Sequence, residues 1–169
     1  MAKIYHNRPW QGQGNWQGTW RTIRTGTLTW IVTNARDVNN YFTEGTPGIV
    51  DILPAMLRSL EISPKRHRAF EIDGVSISGK ISVSDLKATA QGKELTLYWR
   101  CYAGKEKLKV YLSTENGFRN GMNDPYKLVK KMKAYNNTPT IDLGKYPSKF
   151  YKIVVVGKHN STNTWIVPE

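Results

Sequence analysis

From Val83 to the end of the chain, apolar and polar positions alternate in short runs interrupted by turn-forming residues. A period of two marks a strand with one face in a core and the other in water. Val83–Ala88 reads as the first strand and Glu94–Cys101 as the second, with Leu95, Leu97 and Trp99 pointing inward. Lys107–Ser113 alternates in the same way, and Leu128–Tyr135 follows a long polar loop, Glu115–Pro125. Thr140–Leu143, Phe150–Val156 and Thr164–Val167 complete a set of seven. Strands this short and this regularly spaced predict two packed sheets over residues 82–169, so the fold is expected to be mainly β.

Upstream the pattern changes. Residues 26–81 predict a small α+β region. Thr27–Thr33 is β-branched and aromatic, hence a strand. After a turn at Gly45-Thr46-Pro47-Gly48, Ile49, Ile52, Leu53, Met56, Leu57 and Leu60 recur at helical spacing. Asp51 is placed to cap that helix, Pro54 is tolerated in its first turn, and Ser63-Pro64 ends it. Ala69–Ile72 and Val75–Ser78 flank Asp73-Gly74, a pair suited to the positive φ angles of a type I′ hairpin turn. Residues 1–25 are rich in glycine, glutamine and tryptophan with almost no aliphatic content. Such a segment cannot build a core, so it predicts an extended arm. That arm either packs back on its own domain or lies on a neighbour in an assembly.

Seven strands with such alternation are what an immunoglobulin-like sandwich requires, and their succession along 82–169 resembles a fibronectin type III domain in particular. Leu-x-Leu-x-Trp, from Leu95 to Trp99, is similar to that family's core tryptophan strand. Leu143-Gly144-Lys145-Tyr146-Pro147 followed by Tyr151–Val155 is similar to its leucine, proline and Tyr-x-Val-x-Val segment. The spacing from Leu143 to Tyr151 exceeds the family's usual one, which leaves a tyrosine-corner role for Tyr151 open, and the Glu115–Pro125 loop is also long. The resemblance covers half of the chain and implies a fold, not an activity.

At 169 residues, 39% of them apolar and with a mean hydropathy of −0.53, the chain fits one ordinary domain or two small ones. Cys101, the lone cysteine, excludes an intrachain disulfide and reads as a buried, inert thiol on an apolar strand. The first residues lack the apolar stretch of a secretory signal, and no apolar run is long enough to span a bilayer. The expectation is synthesis in the cytoplasm without a membrane partner. Net charge is +12, divided as +4 before Ser82 and +8 from Ser82 onward. A diffuse basic surface favours acidic partners: nucleic acid, acidic protein faces or anionic glycans.

Candidate chemistry is sparse. His6, His67 and His159 are far apart and lack metal-ligand spacing, and His67 sits among like charges in Lys65-Arg66-His67-Arg68. No phosphate-binding glycine loop, zinc-protease motif or nucleophile elbow occurs. Glu61, Glu71 and Asp73 are placed to pair across the expected hairpin, but nothing marks them as acid and base. Asn136-Asn137-Thr138 and Asn160-Ser161-Thr162 match the glycosylation pattern and are read as chance. The expectation is therefore a protein that is not an enzyme and uses no metal or cofactor.

Contact residues stand out more clearly. Lys65, Arg66 and Arg68 form one basic patch. Lys127, Lys130, Lys131 and Lys133 form another on or beside one strand, where they protect a sheet edge or meet phosphates. Trp10, Trp16 and Trp20, with Arg21 beside them, cover their own core, dock on another subunit, or stack on sugars or bases. Three functions follow. The first is a structural or assembly protein docking on neighbouring subunits through arm and sandwich. Tailed-phage virion proteins resemble such modules, which makes a virion component its concrete form. The alternatives are a carbohydrate-binding module and a nucleic-acid-binding protein using the basic surface.

Overall fold

The computed structural model describes residues 3–6, 30–136 and 138–168. Two antiparallel sheets built from seven strands dominate it, so the fold is mainly β. In chain order these strands are β3 (Val83–Gln91), β4 (Glu94–Cys101), β5 (Lys107–Ser113), β6 (Lys127–Lys133), β7 (Thr140–Asp142), β8 (Tyr151–Val156) and β9 (Ser161–Ile166). One sheet has the order β3-β4-β7 and the other β6-β5-β8-β9. Each of the seven expected strands is present, and the bounds of β4 and β5 coincide with those read from the alternation.

The core lies between the sheets because both send alternate apolar residues into the same layer. Val83, Leu95, Leu97, Trp99 and Ile141 from one sheet meet Leu108, Val110, Leu112, Ile153 and Val155 from the other. Trp99 is buried as expected, and its indole N–H donates to the Ala134 carbonyl at 3.1 Å, satisfying the ring's polar atom. Tyr151 is buried at the start of β8, and its hydroxyl donates to the Tyr146 carbonyl at 2.8 Å. That bond is a tyrosine corner, which the spacing had left open. Cys101, expected to be buried, is only half-buried at the end of β4. Asn160, in one of the two glycosylation-like triplets, accepts from the Ser82 and Val83 amides and donates to the Val83 carbonyl, tying β9 to β3.

Residues before β3 depart further from expectation. Lys3–His6 (β1) pairs antiparallel with Trp30–Thr33 (β2), so the beginning of the expected arm belongs to a two-stranded sheet with its own chain. Trp10, Trp16, Trp20 and Arg21 lie outside the described residues. Helix α1 (Asn40–Glu44) is capped by Asn39, whose side chain accepts from the Phe42 amide. A single 3-10 turn, Ile49–Asp51, leads into α2 (Ile52–Ser59), where the helical periodicity placed a helix. Glu61 takes a left-handed conformation, φ 55°, and ends α2 before Ser63-Pro64.

Asp51 does not cap α2. Its buried carboxylate accepts from the Gly48 amide at 2.7 Å, the Val75 amide at 2.5 Å and the Tyr41 hydroxyl at 2.8 Å. The same bonds explain why the expected Asp73-Gly74 hairpin is absent. Val75 gives its amide to Asp51 rather than to a facing strand, and Ser78 bridges Val38. Gly74 does have a positive φ, 85°, but it serves close packing: a Cβ there would meet the Val50 carbonyl at 2.5 Å. A short helix, α3 (Arg66–Ala69), stands where the linker and first hairpin strand were expected.

Candidate functional site

Outward positions of the four-stranded sheet follow from its register. Tyr111 of β5 faces Val154 of β8, and Val154 faces Asn163 of β9, so all three share the outer face. Phe70, at the end of α3, closes over Tyr111 and Val154 to form a second small core outside the sandwich. Its ring lies 5.1 Å from both Tyr111 and Tyr126, edge-on to Tyr126. Asn163 holds the segment in place by donating to the Phe70 and Ile72 carbonyls.

A buried charge cluster locks the same segment down. The Lys152 ammonium bridges the carboxylates of Glu71 and Asp124, and the Tyr126 hydroxyl donates to Glu71 at 2.7 Å. Burial works against the charge on Lys152, but the hydrogen bonds that its ammonium donates to both carboxylates outweigh it and raise its pKa. Burial raises the Tyr126 phenol, and its bond to Glu71 adds to the effect. Asp124 also accepts from the Gly117 and Phe118 amides, which orders the long loop that precedes β6. Glu71 is thus an ion-pair partner of Lys152 and not a member of a carboxylate pair across a hairpin.

Over this platform Arg66 of the first basic patch shares the outer face with Lys131 and Lys133 of the second. The Arg66 guanidinium stacks 4.6 Å from the Tyr111 ring and 5.2 Å from Phe70, and Arg68 stacks 5.2 Å from Phe118. Lys65 is exposed at the start of α3. Strand β6 is an edge strand, and its Lys127, Lys131 and Lys133 are exposed. Lys130 differs from them: it is half-buried, and its ammonium donates to the Thr140 carbonyl of β7 at 2.8 Å, tying the two sheets together. Two lysines that the sequence reading passed over, Lys107 and Lys109, sit opposite Lys133 and Lys131 on β5. The Lys-Leu-Lys-Val alternation already carried that signal.

A second surface has the opposite character. The apolar residues that predicted α2 do not face a core. Ile49 is 67% exposed, Met56 54% and Leu60 63%, with Val50, Leu53 and Ile62 also exposed. α2 buries none of its residues and is held instead by polar bonds from Arg58. Its guanidinium donates to the Ser78, Lys80 and His159 carbonyls at 2.8 to 3.1 Å. A groove between α2 and the following loop is lined by Pro54, Leu57, Ile72, Val75 and Asn160. No protein-family model matches this chain, and no curated protein matches it.

Proposed function

We propose that this chain is a non-enzymatic structural protein that docks on neighbouring protein subunits of an assembly, in the setting of a bacteriophage virion. The observation that carries the reading is the exposed apolar face of Ile49, Val50, Leu53, Met56 and Leu60. A contiguous apolar surface held out from the core by polar bonds is what a protein interface leaves when its partner is removed. The fold supports the setting through the fibronectin type III resemblance. In a constant-type immunoglobulin arrangement the fourth strand joins the sheet of the first two. Here the fourth sandwich strand, β6, pairs with β5 in the other sheet. The arm tryptophans add a sequence argument for docking and lie outside the described residues.

Sedimentation velocity over a concentration series tests the docking surface. The purified chain is expected to associate reversibly as concentration rises and to enhance the fluorescence of a hydrophobic dye. Leu53→Asp/Met56→Asp should remain monomeric, lose the dye signal and melt at an unchanged temperature. A wild-type chain that stays monomeric with background dye fluorescence would sink the reading.

A further inference from the structure

The outer face of the four-stranded sheet carries charge that the apolar surface does not use. Alternation sends Lys107 and Lys109 outward from β5, and the register sets them opposite Lys133 and Lys131 of β6. Like charges directly opposite one another destabilise a sheet. All four side chains are exposed, and among the described residues none is within ion-pair distance of a carboxylate. Edge protection accounts for lysines on β6, but β5 is paired on both sides and has no edge to protect. Lys107 and Lys109 therefore need another reason.

Their geometry supplies one. Along each strand the lysines repeat every second residue, about 6.8 Å, close to the separation of successive phosphates on an extended nucleic-acid strand. Arg66 stacks over Tyr111, the next outward position on β5 after Lys109, and continues the row at one end. At the other end the Lys133 ammonium lies 5.7 Å from the exposed Tyr135 ring, which offers an aromatic face to a base. We propose that this row binds single-stranded nucleic acid through its phosphate backbone, without reading sequence. A single strand fits better than a duplex. The exposed Tyr135 ring at the end of the row can take an unpaired base, which a duplex keeps inside its stack.

The test is anisotropy of a fluorescein-labelled oligothymidylate across a salt series. The ladder variant is Lys107→Ala/Lys109→Ala/Lys131→Ala/Lys133→Ala. Its charge-matched control is Lys80→Ala/Lys87→Ala/Lys145→Ala/Lys149→Ala, four exposed lysines away from β5 and β6. The wild-type chain is expected to bind with a linear dependence of log Kd on log salt. Loss of the ladder should weaken binding at least about tenfold and flatten the slope by roughly three, at about 0.7 per phosphate contact. The control should shift by less than about threefold. Circular dichroism verifies that both variants fold. Equal weakening by both variants, no wild-type binding at low salt, preference for duplex over single strand, or preference for heparin each overturns the assignment.

Discussion

Two buried carboxylates hold the region before β3 in place. Asp51 satisfies two amides and a phenol at once, so Asp51→Ala leaves three donors without their acceptor. A loss of about 3 kcal/mol or more is expected, against about 1 kcal/mol for Tyr41→Phe, which removes one bond and buries no orphan. Urea denaturation of the two variants checks the ordering. Lys152 lies between Glu71 and Asp124, and Lys152→Ala strands two carboxylates in a buried site. That substitution should cost about 3–5 kcal/mol in urea denaturation. Neither role was legible in sequence: Asp51 had the position of a cap, and Glu71 that of a hairpin residue. Hydrogen-bond partners about twenty to eighty residues away are chosen by the fold.

At the scale of elements, the β5–β6 pairing makes a stability prediction independent of any ligand. Lys109→Glu converts a repulsive cross-strand pair with Lys131 into an attractive one and should stabilise the chain by about 0.5 kcal/mol. A thermal melt at low salt reads the gain, and high salt should erase most of it. No gain at low salt would mean that the two side chains splay apart. Helix α2 teaches the complementary lesson. Its periodicity was legible and its location correct, yet the apolar stripe does not indicate where the helix packs. Periodicity reports that a face exists; whether that face meets this chain or another is a tertiary matter. The Asp73-Gly74 pair misled for a related reason, since a positive φ serves close approach to Val50 as well as a turn.

For the whole molecule, three buried protons set an alkaline limit on stability. The Tyr41 phenol is raised by burial and by the Asp51 carboxylate, Tyr126 by burial and Glu71, and Lys152 by its two carboxylates despite burial. In each case the folded chain holds its proton above the pH at which the unfolded chain releases it, about 10. Their contributions are therefore complete below that pH and are lost as pH rises above it toward the higher pKa of the folded chain, each by up to about 1.4 kcal/mol per pH unit. Thermal melts between neutral and strongly alkaline pH should show a steep fall, shallower in Tyr126→Phe. Absorbance of tyrosinate should show Tyr41 and Tyr126 ionising only with unfolding. Equal slopes for wild type and Tyr126→Phe would remove that phenol from the account.

Sequence alone determined the strands from Val83 onward, the inward Trp99 and the mainly β class, because period-two alternation and its turns are local properties. It also determined the basic excess. Tertiary structure alone decided that Arg66 shares a face with Lys131 and Lys133, that Lys107 and Lys109 complete a ladder, and that Lys130 is engaged elsewhere. It likewise decided that the stripe on α2 faces outward. Register and packing join residues far apart in the chain, and no local pattern encodes which of them will meet.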